Sequence, residues 1–283
     1  MRHKKQHIPI LVYHSISRSA NPKFKQLTVS PALFAAQMDF LHQHAYTPIN
    51  AIQLIHGLTG KTALPRRPVA ITFDDGFADF YQHALPVLSR CKFTATLYIT
   101  TGFVGNTSRW MQREGETERP MLSWSQIAEI SNSGIECGSH THSHPKLDTL
   151  PLPVARDEIV RSKELLEDHV GRKVSSFAYP FGYYTSAVSH LVQEAGFSSA
   201  CTVDFAMSSD TTKYFALERL MVTPDTGIAG FRALLAETDT PLVRNLYAHT
   251  CIPVKNTIHY YFASIERFCA GYANCTYAES SVR

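Results

Sequence analysis

Val69-Ala70-Ile71-Thr72-Phe73-Asp74-Asp75-Gly76 is an apolar, β-branched run that ends in two adjacent carboxylates and a glycine. Such a run, bounded by a turn residue, reads as a buried strand, and it sets both acids at the strand's end. Successive strand side chains point to opposite faces. Asp74 and Asp75 are therefore expected to face different ways, with a turn at Gly76 bringing both to one mouth. Two neighbouring carboxylates repel unless a cation or a proton separates their roles, so the pair calls for a partner elsewhere in the chain.

Gly138-Ser139-His140-Thr141-His142-Ser143-His144-Pro145 supplies that partner, after a strand-like segment at 134–137. Two of its three imidazoles with one aspartate make the two-histidine, one-carboxylate set that holds a divalent transition metal and leaves positions open for water and substrate. With both stretches in hand, the chain resembles the polysaccharide deacetylases, the NodB-homology or carbohydrate esterase family 4 domain. Thr72-Phe73-Asp74-Asp75-Gly76 is similar to that family's first motif, and His140-Thr141, two intervening residues and His144-Pro145 are similar to its second. The resemblance extends over residues 8–236 and implies an α/β fold, the family's irregular (β/α)7 barrel. Either motif alone is weak; their joint occurrence in the right order is specific.

The rest of the sequence agrees with an alternating fold. Strands are expected at 8–14, 46–49, 93–99, 135–139, 174–178, 197–203 and 215–222. Between them, helices are expected from Pro31 (capped by Ser30, with Phe34, Met38 and Leu41 inward), over 50–58, along the stripe Phe77, Tyr81, Ala84, Leu88, and over 123–132, 185–195 and 227–236. Ala155, Ile159, Leu166 and Val170 mark a long charged helix ending near Gly171, with Lys163 and Glu167 as an i, i+4 pair on its solvated face. About seven strand–helix units imply a parallel sheet, whose sites lie at the carboxyl ends of strands. The polar connection 101–120 reads as a loop over the site, and Trp110 within it either stacks on a sugar or packs.

The resemblance also implies roles. Asp75, His140 and His144 would hold the metal, with zinc first and cobalt or nickel as alternatives. Asp74 would be the general base, the backbone N–H of Phe181 would face the oxyanion, and His142 stays outside the set. His14, which from composition alone reads as a strand-end residue, would be the general acid, as in the permuted poly-N-acetylglucosamine deacetylase branch. The family's third-motif arginine position is Ala178 here. Arg219 is suggested as the brace for Asp74, with a surface charge or barrel-floor ion pair as the alternative.

The chain has 283 residues, 44% of them hydrophobic, enough to bury a sizeable core. Residues 1–240 are expected to form the catalytic domain. Residues 241–283 fall outside the resemblance as a tail of unknown role, read either as one amphipathic helix at 258–268 or as a segment without fixed structure. A formal charge of only +3 gives no sign of nucleic acid or an anionic membrane as main partner. Arg2-His3-Lys4-Lys5 is followed by an apolar stretch too short for a signal-peptide core, and nothing approaches the length of a spanning helix. A cytoplasmic location is the resulting expectation, secreted or membrane-associated if the true start lies upstream. Six cysteines without a CxxC spacing read as free thiols in a reducing compartment.

The expected activity is hydrolysis of N-acetyl groups on N-acetylglucosamine-type units of a polysaccharide or its precursor. An acetylated carbohydrate is thus the partner, and the oligomeric state is left open. O-acetyl ester hydrolysis uses the same apparatus. A non-haem iron oxygenase shares the ligand types but begins from His-x-Asp on antiparallel strands. A carbohydrate-binding barrel without turnover would keep the fold but has no need for all five of Asp74, Asp75, His140, His144 and His14.

Overall fold

In the computed structural model, which describes residues 8–203 and 213–236, β1 (Ile10–Tyr13) is buried at every position. It pairs in parallel with β5 (Pro68–Phe73), the strand that carries the acidic pair. Continuous apolar runs of this kind suit a parallel sheet covered on both faces. All described residues lie in the unit Met1–Glu237; the tail proposed at 241–283 lies outside the described residues, as do Cys251, Cys269 and Cys275.

In chain order, β1 is followed by the short strands β2 (Ser15–Ile16) and β3 (Thr28–Val29), then α1 (Pro31–Gln43), β4 (Thr47–Ile49) and α2 (Ala51–Leu58). After β5 come α3 (Leu85–Cys91), β6 (Thr96–Ile99), α4 (Trp124–Asn132), β7 (Glu136–Ser139) and α5 (Leu152–Val170). The domain continues with β8 (Ser176–Ala178), α6 (Ser186–Glu194), β9 (Ser199–Cys201), β10 (Leu220–Met221) and α7 (Ile228–Leu235). The sheet runs β10-β1-β5-β6-β7-β8-β9, with β4 alongside the first half of β5. Leu217, just before β10, bridges Cys201 in parallel, its N–H donating to Ala200 O at 2.9 Å. The segment that pairs with β1 thus also reaches β9, and the curled parallel sheet forms an irregular (β/α)7 barrel.

Local signals explain most helix starts. Ser30 Oγ accepts from Leu33 N–H ahead of Pro31, and Asn50 with Gln53 and Ser123 with Gln126 form capping boxes. Gly171, left-handed at φ 65°, ends α5. Gly138 in β7 is required by close approach, since a Cβ there would stand 2.5 Å from the Tyr98 ring.

Two helix expectations need correction. The stripe beginning at Phe77 does not start a helix there: Phe77 forms an antiparallel bridge with Met121, and the helix opens with a π-helical turn at Phe80–Ala84. Lys163 is not on a solvated face. It is buried, and its ammonium donates to Val174 O at 2.6 Å as well as to Glu167. Among the described residues no helix is long and apolar enough to cross a membrane.

Candidate active site

Asp75, His140 and His144 stand at the carboxyl ends of β5 and β7 and in the loop that follows. Asp75 Oδ1 lies 3.2 Å from His144 Nε2 and 3.5 Å from His140 Nε2, and the two Nε2 atoms are 3.2 Å apart. Ligands of a tetrahedral ion at about 2.0–2.2 Å stand roughly 3.3–3.6 Å from one another, so the triangle has the size that a small divalent cation requires. The tautomer agrees. His140 Nδ1 sits 2.7 Å from Ala178 O; a proton donated there leaves Nε2 bare toward the triangle. Burial disfavours ionisation of Asp75, yet the two imidazoles outweigh it and hold the carboxyl far below its ordinary range. Burial lowers the basicity of His140, but Asp75 and Asp74 outweigh it and raise the net value. The donor set, two imidazoles and an ionised carboxylate closing on one point, fits a divalent metal.

Asp74 faces a different partner. Arg219 Nη1 donates to Asp74 Oδ1 at 2.7 Å and Nη2 to Oδ2 at 2.6 Å, with both side chains almost wholly buried. The guanidinium is itself held by Thr72 Oγ1 and by Thr202 O. Burial would raise the Asp74 pKa, but Arg219, with smaller help from His140 and His14, keeps it below its ordinary value. The two acids are separated by more than the turn at Gly76. Asp75 is itself left-handed at φ 77° and Gly76 follows at φ 86°, a costly conformation for a non-glycine residue. His14 follows β1, with Nδ1 shielded from solvent and without a hydrogen-bond partner among the described residues. Burial pushes its imidazole below the ordinary range, against the pull of Asp75 and Asp74.

Residues 61–200, a span that holds Asp74, Asp75, His140, His144 and Phe181, match the family described as polysaccharide deacetylase. The chain carries a polysaccharide deacetylase domain over those residues. YxkH of Bacillus subtilis (strain 168) is 29% identical over 228 residues, which cover 81% of this chain and 76% of that protein. The poly-beta-1,6-N-acetyl-D-glucosamine N-deacetylase of Staphylococcus aureus (strain MSSA476) is 23% identical over 216 residues, covering 73% and 72%. The structure of IcaB from Ammonifex degensii superposes with a TM-score of 0.70 at 27% identity, covering 81% of this chain and 97% of that one.

The rim of this deacetylase domain is aromatic. Phe181 has φ 58°, and its ring packs edge-on to His144 at 4.7 Å. Trp110 rests on Phe103 and Phe77 and reaches to 5.4 Å from the His144 ring, so it packs and borders the site at once. His142 turns away from the triangle, its Nδ1 3.0 Å from Thr101 Oγ1. Asp75, Thr141, His144 and Phe181 are four left-handed non-glycine residues gathered at this one mouth, a concentration of strain typical of functional sites. Sequence reasoning missed the Ala178 carbonyl behind His140, and it missed the anchor joining Asp79, Ser15 and Arg119. There Asp79 Oδ2 accepts from Ser15 Oγ at 2.6 Å and Arg119 Nη1 at 3.1 Å, tying β2 to the loop that carries Trp110. A serine, an aspartate and an arginine spread over a hundred residues carry no local pattern that would reveal it.

Proposed function

We propose that this chain is a metal-dependent hydrolase that removes N-acetyl groups from N-acetylglucosamine-type units of a polysaccharide or its precursor. The observation that carries the reading is the Asp75–His140–His144 triangle beside an Asp74 held ionised by Arg219. The activity of the staphylococcal relative, a poly-beta-1,6-N-acetyl-D-glucosamine N-deacetylase, supports the choice of sugar.

Asp75, His140 and His144 would hold the metal, zinc or alternatively cobalt or nickel. When bound, such an ion supplies Lewis acidity, which lowers the pKa of a water and polarises an acyl oxygen. Asp74 takes the proton of the attacking water. Arg219 occupies one direction on each Asp74 oxygen, and a carboxylate oxygen has a second lone pair for that proton. The Phe181 backbone N–H is assigned to the oxyanion, where a preoriented donor is worth most in a dry site. His14, acting in its imidazolium form, then donates a proton to the departing amine nitrogen, without which an amide does not cleave at a useful rate, and the proton taken up by Asp74 passes on to restore both groups. Acetate and a free amino sugar are the products, with one water consumed.

The test is amine release from short N-acetylglucosamine oligomers by metal-stripped protein, with zinc, cobalt or nickel restored, beside Asp74→Asn. Metal-dependent release that the variant lacks is the expected result. Stoichiometric metal binding without release from these oligomers, but with cleavage of an O-acetyl sugar ester, would overturn the choice of N-acetyl substrate.

A further inference from the structure

The loop between β7 and α5 carries two of the three proposed ligands in a conformation it does not adopt cheaply. Thr141 has φ 66° and His144 φ 60°, and a β-branched residue in that region is a marked outlier. Strain of this kind persists only where surrounding contacts over-determine the backbone. Inside the loop, Thr141 Oγ1 donates to His140 O and accepts from His144 N–H at 3.1 Å. On one flank, Gly102 N–H donates to His142 O at 2.7 Å and Thr101 N–H to Thr141 O at 3.2 Å. That approach is so close that a Cβ on Gly102 would stand 2.6 Å from His142 O.

The other flank is held by one side chain. Glu158, in the second turn of α5, accepts from His142 N–H at 2.9 Å and Ser143 N–H at 2.7 Å through Oε2, and from Ser143 Oγ at 2.6 Å through Oε1. We propose that Glu158 is a positioning residue for the metal centre. Its carboxylate clamps His142 and Ser143, two of the three residues between His140 and His144, so that both imidazoles converge with Asp75. Neighbouring contacts favour this role. α5 is a 19-residue helix whose inward face, Ala155, Ile159, Ser162 and Leu166, is buried without Glu158. Ser162 Oγ meets Ser139 Oγ of β7 at 2.6 Å, so the clamp stands on an element already fixed to the strand before the ligands. Charge-assisted bonds from a carboxylate to backbone N–H groups are short and strong. An amide offers one oxygen in place of two acceptors, and alanine offers none.

This inference rests on the metal reading of the triangle, and the experiment separates the two. Zinc affinity is measured by calorimetry with a competing chelator on metal-stripped wild type, Glu158→Gln and Glu158→Ala, with urea midpoints of the same metal-free proteins. Outer partners of metal ligands typically change affinity by about 10- to 100-fold. Glu158→Ala is expected to bind zinc at least about tenfold more weakly, Glu158→Gln to fall between, and the metal-free midpoints to stay together. Glu158→Ala binding zinc as tightly as wild type would overturn the clamp while leaving the metal site standing. So would an affinity loss matched by a fall in the metal-free midpoint that Glu158→Gln shares in full. Wild type that binds no zinc, cobalt or nickel would overturn the metal reading itself.

Discussion

Arg219 and Asp74, 145 residues apart, meet fork to fork in the barrel interior, with Nη1–Oδ1 and Nη2–Oδ2 distances of 2.7 and 2.6 Å. The arginine comes from the segment entering β10, on the far side of β1 from β5, and the Tyr98 ring lies 5.6 Å beneath its Cζ. The position expected for the family's arginine is occupied by Ala178, whose carbonyl instead takes the His140 Nδ1 proton. A charge supplied from another strand reaches the same acid.

Arg219→Lys keeps a charge but loses the planar fork. Turnover of the acetylated oligomer is expected to fall by about 100-fold, the scale of a misplaced catalytic group. Burial raises the Asp74 pKa and Arg219 lowers it, so a weaker brace moves the acidic limb of the pH–rate profile upward. Stability follows the same sign. Because the folded pKa is depressed, the stabilisation from ionised Asp74 is present above the unfolded value of about 4 and is lost as pH falls through the folded value. Arg219→Ala leaves a buried carboxylate unpaired and should cost about 3–5 kcal/mol in urea denaturation. An unchanged pH–rate profile in the lysine variant would contradict the assignment of Asp74 as base.

Removing any corner of the triangle should abolish stoichiometric zinc binding. A ligand at about 100 times its dissociation constant stabilises a fold by about 2.7 kcal/mol. Added zinc is therefore expected to raise the melting temperature of wild type but not of Asp75→Asn, His140→Ala or His144→Ala, and a chelator should reverse the gain. Affinity should fall on acidification as the imidazoles protonate. His140, raised by the two aspartates against burial, protonates well before the strongly depressed Asp75.

The parts that were legible in the sequence are those whose cause is local. The apolar run 69–73 and its terminal acids, the histidine motif, and the caps at Ser30, Asn50 and Ser123 each carry their explanation within a few residues. The π-helical start at Phe80 is set by pairing of Phe77 with Met121, 44 positions later, and no helical stripe reveals that. Arg219 was one cation among 27 basic residues; only closure of the sheet through Leu217 brings it over Asp74. Glu158 reads as one more acid on a charged helix until the ligand loop folds back onto it.

Lys163 is a case where burial inverts the reading of a charge pair. Its ammonium bonds Val174 O at 2.6 Å and Glu167, while Glu167 also accepts from Val174 N–H at 2.8 Å. The pair therefore fastens the end of α5 to the entry of β8. Lys163→Ala strips the buried Val174 carbonyl of its donor and is expected to cost about 1–3 kcal/mol. Turnover at saturating metal and substrate should be unchanged, since the contact lies away from the strand ends that carry the site. Urea denaturation with a parallel activity assay checks both halves.

Glu136 opens β7 from inside the barrel, where Oε1 accepts from Ser176 Oγ at 2.6 Å and Oε2 from Ile52 N–H at 3.0 Å and Thr96 Oγ1 at 3.1 Å. Burial raises its pKa, and these donors only partly offset that. The sign is opposite to that of Asp74. The folded state binds the proton more tightly than the unfolded chain, so the contribution is full below the unfolded value of about 4.3 and is lost as pH rises through the folded value. Glu136→Gln keeps an acceptor oxygen and removes the titration. The urea midpoint of wild type, taken relative to Glu136→Gln, is therefore expected to decline as pH is raised from about 4.5 toward neutrality. A difference independent of pH over that interval would show that Ser176, Thr96 and the α2 amide solvate the carboxylate as well as water does.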